Sequence, residues 1–177
     1  MTVQEIAVIG GGNGAITTAG DMTLAGFNVR MWTAFPDEYG PIYDTGRVRL
    51  KGLGRAGHAK VALVTRDLGE AIRGAQIICS PSPAFAQEDL AKWLGPHLED
   101  GQILLLSPGS LGGYVFAKTF QALGIKKDIR IAEPGTLPYL TRKIASDEVL
   151  VSGHAVRLPV GIFPAVKTDE TIALLRE

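Results

Sequence analysis

Cysteine is almost absent from this chain. A single residue, Cys79, occurs in 177, so no disulfide can form within the chain and the fold must rest on packing, which a chain of this length can supply from one core. Runs of like charge are also missing. Eighteen basic and eighteen acidic residues cancel, and no stretch reaches about five charges of one sign, which argues against a phosphate-backbone footprint and hence against nucleic acid as a partner. No apolar stretch approaches the ~18 residues of a membrane helix. Residues 1–5 lack the basic-then-apolar pattern of an export leader, so a cytoplasmic protein without a membrane partner is expected. His58, His97 and His154 are scattered, without the spacing of a metal site, and no metal is expected. Cys79 itself sits in Ile77-Ile78-Cys79 and reads as an inert core thiol; a nucleophile would need an activating base, of which the sequence gives no sign.

Glycine is plentiful, with 22 residues, and its first cluster is the most informative. The apolar run Ile6-Ala7-Val8-Ile9, suited to a buried parallel strand, leads into Gly10-Gly11-Gly12-Asn13-Gly14-Ala15, which fits G-x-G-x-x-A. Gly10 permits the tight turn, Gly12 lets the backbone approach a pyrophosphate, and Ala15 lets the helix lie close on the strand. Amides at the helix start then face the phosphate charge. A helix over 15–25, a stop at Gly26 and a strand over 28–32 supply the setting that this motif requires.

Further strand-like runs at 77–79, 103–106 and 129–132 alternate with helices at 68–73 (capped by Asp67), 84–94 and 114–123. The alternation predicts an α/β fold in one domain over 1–177, a Rossmann-type doubly wound and mostly parallel sheet. Residues 47–51 and 60–64 alternate around a turn holding Gly52, Gly54 and Gly57, which predicts a β-hairpin inserted in the sheet. Runs at 148–151 and 155–158 predict antiparallel strands near the C-terminus, and Asp169 caps a last helix at 170–174. Within 84–94, the positions of Phe85, Leu90, Trp93 and Leu94 assign them to one buried stripe.

Ligands of open parallel sheets lie beyond the carboxyl ends of the strands. The turns at 10–14 and 33–35, Ser80-Pro81-Ser82-Pro83, Ser107-Pro108-Gly109-Ser110 and the segment from Glu133 to Thr136 therefore form one expected rim, although small polar residues are also what ordinary turns use. The end of the second strand governs the choice between NAD and NADP, because an acid there holds the ribose 2′-hydroxyl. Thr33 occupies that position after Trp32, with Asp37 and Glu38 further along. Without an anion to repel a 2′-phosphate, the balance leans slightly to NADP. Arg30, Arg47 and Arg49 are either phosphate partners or surface strand residues. Glu133, at a strand end on the same rim, either holds a cationic substrate group or bonds its own loop amides; Arg142 can pair with a carboxylate.

These residues resemble the octopine and nopaline (opine) dehydrogenases along nearly the whole chain. The resemblance rests on residues 10–15, Trp32-Thr33, Leu106-Ser107-Pro108-Gly109 with Gly112-Gly113, and Glu133 through Leu137-Pro138-Tyr139 to Arg142, with Val151-Ser152-Gly153 and Gly161-Ile162-Phe163-Pro164. It implies a two-domain enzyme that uses NAD(P)H to reduce the imine formed between an amino acid and a 2-oxo acid. It also implies that Gly10, Gly11, Gly12, Asn13, Gly14 and Ala15 carry the pyrophosphate. Ser80-Pro81 and Pro108-Gly109-Ser110 then flank the nicotinamide and Glu133 meets the amino-acid substrate, while Thr33 at the ribose and Arg142 towards a substrate carboxylate are expected from their positions alone. The catalytic histidine and its acidic partner belong to a mostly helical second domain not contained in 1–177, so no catalytic residue is assigned here. Two alternatives stand beside it: a related reductase of the glycerol-3-phosphate or ketopantoate type, and a stand-alone nucleotide-sensing module. The segment 133–142 favours the opine reading.

Overall fold

In a computed structural model, residues 3–176 are described; Met1, Thr2 and Glu177 lie outside the described residues. The chain runs β1 (Glu5–Ile9), α1 (Asn13–Leu24), β2 (Asn28–Trp32), α2 (Ile42–Thr45), β3 (Arg47–Gly52), β4 (Gly57–Lys60), β5 (Leu63–Val64), α3 (Leu68–Ile72) and β6 (Ile77–Ser80). It continues through α4 (Gln87–Leu94), β7 (Ile103–Leu106), α5 (Gly112–Ala122), β8 (Arg130–Pro134), β9 (Tyr139–Ala145), β10 (Glu148–His154), β11 (Val160–Phe163) and α6 (Thr168–Leu175). A seven-stranded sheet takes the order β11-β8-β7-β6-β1-β2-β5, parallel except for β11 on β8. β1 lies inside it because Ile6 to Ile9 offer apolar side chains to both faces. Ile6 and Val8 pack towards α1, whereas Ala7 and Ile9 join the core under α3, α4 and α5. Asp67 caps α3 by accepting from the Glu70 N–H at 3.1 Å.

The expected hairpin exists as β3 and β4, but it is not inserted in the main sheet. It belongs to a second sheet, β4-β3-β10-β9, in which β3 pairs in parallel with β10. Only Leu63–Val64 return to the main sheet, as β5 beside β2. The cause lies in α1. A Cβ on Gly20 would come within 3.0 Å of Val48 and Leu50, so this mid-helix glycine lets the second sheet lie directly on the helix, an advantage over its propensity penalty of ~1 kcal/mol. The C-terminal strands differ from expectation in the same way. β10 is longer than 148–151 and joins the second sheet with β9, residues 155–158 form no strand, and the antiparallel strand of the main sheet is β11.

A second correction concerns the stripe in 84–94. Leu90 and Leu94 are buried, but Phe85 is 88% exposed and Trp93 42% exposed. A 3-10 turn over Ala84–Ala86 precedes α4, so Phe85 is out of phase with the helical period that placed it in the core. Asp169 likewise lies in the first turn of α6 rather than at its cap, which is Lys167. No helix among the described residues is long and apolar enough to cross a membrane.

Cys79 lies buried between β1 and β7, and burial pushes its thiol up to about 12 from an ordinary 9.0. Below pH 9 both folded and unfolded chains hold the proton. Between about 9 and 12 only the unfolded chain releases it, so the stability this group contributes is complete below 9 and lost as pH rises through 12. A thiol reagent at pH 8 is expected to leave the native protein unmodified and to label it fully in denaturant. Labelling of the native protein at the rate of a free thiol would contradict this burial.

Candidate functional site

The glycine turn between β1 and α1 is held by groups that occupy its carbonyls. The Gly10 carbonyl accepts from the Tyr39 hydroxyl at 2.9 Å, that of Gly11 from Lys143 Nζ at 3.2 Å, and that of Asn13 from the Thr17 hydroxyl at 2.8 Å. The Gly12 carbonyl takes the first helical bond, from the Ile16 N–H. The N–H groups of Gly11, Gly12, Asn13 and Gly14 have no partner among the described residues. Acceptors engaged and donors free, at the positive end of a 12-residue helix, make a surface that attracts an anion.

Each glycine here has its own reason. Gly10 has φ +120, which a side chain rarely adopts, and a Cβ on Gly11 would lie 2.5 Å from a Glu38 carboxylate oxygen. At Gly12 the backbone is ordinary (φ −74) and a Cβ would meet nothing within 4 Å. The fold does not need Gly12 to be glycine; the space above it does.

Lys143 comes from β9, which lies along α1 in a polar ladder. Asn13, Thr17 and Asp21 stand four residues apart on the helix, and Tyr139, Thr141 and Lys143 two apart on the strand, periods that both advance by ~6 Å. The rungs are Lys143 N–H to Asn13 Oδ1 (2.7 Å), the Thr17–Thr141 hydroxyl pair (2.7 Å), and the Tyr139 hydroxyl to Asp21 Oδ2 (2.8 Å). Burial, reinforced by the Asp21 carboxylate, pushes the Tyr139 phenol well up. Lys143 also donates to the Glu38 main-chain carbonyl at 2.5 Å, and burial holds its ammonium below the usual lysine value.

Two cavities meet at this turn. One, of about 350 Å³, is lined by Gly10, Gly11, Gly12, Thr33, Glu38 and Phe85, among others. The other, of about 430 Å³, includes Gly12, Asn13, Gly14, Pro108, Tyr139 and Arg142 in its lining. Gly12 and Pro81 border both, so the pair forms one trough running across the helix start.

The expected rim residues divide accordingly. Gly10 to Gly14, Thr33, Pro81, Pro108 and Arg142 face the trough, while Ala15 is buried behind it. Ser80 is buried at the end of β6, with its hydroxyl on Ser82 at 3.2 Å. The Gly109 carbonyl accepts from Gln87 Nε2 at 2.9 Å, and Ser110 is exposed with φ 51; neither lines the trough. Glu133 accepts from the Gly113 N–H at 2.6 Å, at the start of α5, and borders a separate groove with Tyr114 and Phe163. Glu133 and Arg142 thus line different cavities. Arg30 is engaged with Glu5 at 3.2 Å, and Arg49 with Glu148 at 2.9 Å on the second sheet.

The sequence reading placed Phe35 on the rim, where it lines the smaller cavity, but missed Phe85, Trp93 and the inward face of β9 as contributors to this region. It noticed Glu38 but left it in the loop. The available signals were the polar spacing Asn13, Thr17, Asp21 on a helix, and Pro36, which opens the 3-10 turn that carries Glu38 back to Thr33.

No family model matches the chain. It is 29% identical to an opine dehydrogenase of Arthrobacter sp. (strain 1C) over 165 residues, 93% of this chain and 46% of that protein. It is 32% identical over 121 residues to octopine dehydrogenase of Pecten maximus, 63% of this chain and 30% of that one. A glycerol-3-phosphate dehydrogenase of Nitratidesulfovibrio vulgaris (strain DP4) is 33% identical over 111 residues, 58% of this chain and 31% of that protein. Among solved structures, octopine dehydrogenase in complex with NADH and agmatine superposes at a TM-score of 0.81 and 24% identity, over 99% of this chain and 47% of that chain. Yersinopine dehydrogenase with NADP+ bound gives 0.75 at 16%, over 98% and 44%. A ketopantoate reductase from Ralstonia eutropha JMP134 gives 0.67 at 18%, over 97% and 53%. Over most of its length the chain is similar to opine dehydrogenases, and it spans less than half the length of those named here.

Proposed function

We propose that this chain is the nicotinamide-dinucleotide-binding domain, 1–177, of an opine-dehydrogenase-like oxidoreductase working in the cytoplasm. The observation that carries this reading is the glycine turn, with its carbonyls engaged, its amides free and open space over Gly12. Gly11, Gly12, Asn13 and Gly14 would hold the pyrophosphate, Thr33 and its surroundings the adenosine half, and Pro81, Pro108 and the neighbouring Ser80, Gly109 and Ser110 the nicotinamide half. The bound cofactor would supply hydride to the imine of an amino acid and a 2-oxo acid. This chain's own part is to bind and orient. Arg142, exposed on the trough, suits a substrate carboxylate. Glu133 can meet a substrate amine only while it still caps α5. Proton handling falls to a mostly helical second domain, so this chain by itself is expected to bind cofactor with little turnover, since hydride transfer needs both reactants held in one closed geometry.

The kinship with glycerol-3-phosphate and ketopantoate enzymes supports the same nucleotide role with another substrate, which a substrate panel on the enzyme containing both domains would separate. Titrating this chain with NADH and NADPH, followed by nicotinamide fluorescence and calorimetry, is expected to give saturable binding of at least one. No response to either would remove the function proposed here.

A further inference from the structure

We propose that Glu38 is the ribose-binding acid of this site and makes it selective for NAD over NADP, the reverse of the lean drawn from Thr33 alone. The inference rests on the dinucleotide reading. The usual acid follows the second strand directly; here that position is Thr33, and the acid arrives by a detour. Pro36 opens a 3-10 turn over Pro36–Glu38, which turns the chain back so that Glu38 Oε2 accepts from the Thr33 hydroxyl at 2.8 Å. The Glu38 main-chain carbonyl is tied to Lys143 at 2.5 Å, and Tyr39 next to it is fixed to Gly10. The side chain therefore reaches over Gly11, where a Cβ would lie 2.5 Å from Oε2.

Two features of this carboxylate point to a diol. It is half-buried and faces the cavity beside Gly11 and Phe35, and the Thr33 hydroxyl is its one hydrogen-bond donor among the described residues. It retains acceptor capacity towards the cavity, and vicinal hydroxyls donate to a carboxylate. The charges around it exclude the alternative. Among the described residues lining this cavity, Glu38 and Asp89 are the charged ones and none is basic.

The nearby cations already have partners. Lys143 bonds main-chain carbonyls, Lys92 pairs with Glu88 at 2.7 Å, Arg30 with Glu5, and Arg66 lies over the Tyr43 ring. A 2′-phosphate in this cavity would thus meet a carboxylate and no basic side chain of the lining, the Lys143 ammonium behind it being held by the Gly11 and Glu38 carbonyls, which is repulsive in a partly desolvated site.

Dissociation constants for NADH and NADPH, measured by nicotinamide fluorescence on the wild-type chain and on Glu38→Gln, test this. Glutamine keeps an acceptor for Thr33 and removes the charge. The wild type is expected to bind NADH at least about tenfold more tightly, and the variant to bring NADPH within about threefold of NADH. ADP-ribose against its 2′-phosphorylated form on the wild type repeats the comparison without any substitution and should show the same preference. Equal or tighter binding of the 2′-phosphorylated ligands by the wild type, or a selectivity unchanged in Glu38→Gln, overturns the role of Glu38 while leaving the dinucleotide reading in place. Failure of the wild type to bind any of the four ligands overturns both.

Discussion

Gly12→Val is expected to weaken dinucleotide binding at least about a hundredfold, ~2.7 kcal/mol, while the melting temperature stays within a few degrees of wild type. The separation of the two effects follows from the backbone. Gly12 has φ −74 and ψ −177, which valine adopts readily, and a Cβ there meets no protein atom within 4 Å. The isopropyl group would fill the space directly over the free amides, where a pyrophosphate must approach. Gly10→Val is the contrasting control, because φ +120 at Gly10 strains any side chain and the damage should appear in stability. Calorimetric titration beside thermal unfolding reads both quantities. Unchanged affinity in Gly12→Val would remove the turn from the binding site, and a large drop in melting temperature would refute its steric innocence.

Asp21→Ala should produce the largest loss of stability among changes near the site, about 2–4 kcal/mol, or roughly 4–16 °C in melting temperature. Asp21 is 5% exposed on the main body of α1, where it accepts from the Tyr139 hydroxyl and pairs with Arg55 at 3.2 Å. The Arg55 side chain is 54% exposed, so its ion pair contributes little after solvent screening. Most of the loss comes from the Tyr139 phenol, left half-buried without its acceptor, and from the gap between helix and strand. Asp21→Asn, which retains an acceptor, should lose only about 1 kcal/mol. An unchanged melting temperature in Asp21→Ala would mean that the ladder carries no stability.

The parallel core was legible because its signals are local. β2 and β7 have the bounds that apolar runs and flanking glycines indicate, and β1 and β6 differ by one residue. The second sheet was hidden by distance and by inverted patterning. β3 finds β10 about a hundred residues later, with Arg49 opposite Glu148, and nothing local specifies that pairing. In β9 the polar Tyr139, Thr141 and Lys143 turn inward while Leu140 and Ile144 are exposed, so a rule that reads apolar as inside sees no strand. Helical phase failed at Phe85 because a 3-10 turn comes before α4. At the site, the trough could be anticipated from the rule of strand ends, and the sequence itself shows Thr33 rather than an acid after Trp32. The return of Glu38 to Thr33 depends on a turn geometry that a linear distance of five residues conceals.

The ladder between α1 and β9 joins residues separated by 118 to 130 positions. During synthesis the lysine that holds the carbonyl of the glycine turn is added more than a hundred residues after the turn itself. At ~5–20 residues per second the delay is roughly 7–26 s, so the parallel strands can begin to associate well before their binding turn is clamped. Competence to take up a nucleotide therefore trails the translation of the motif that announces it.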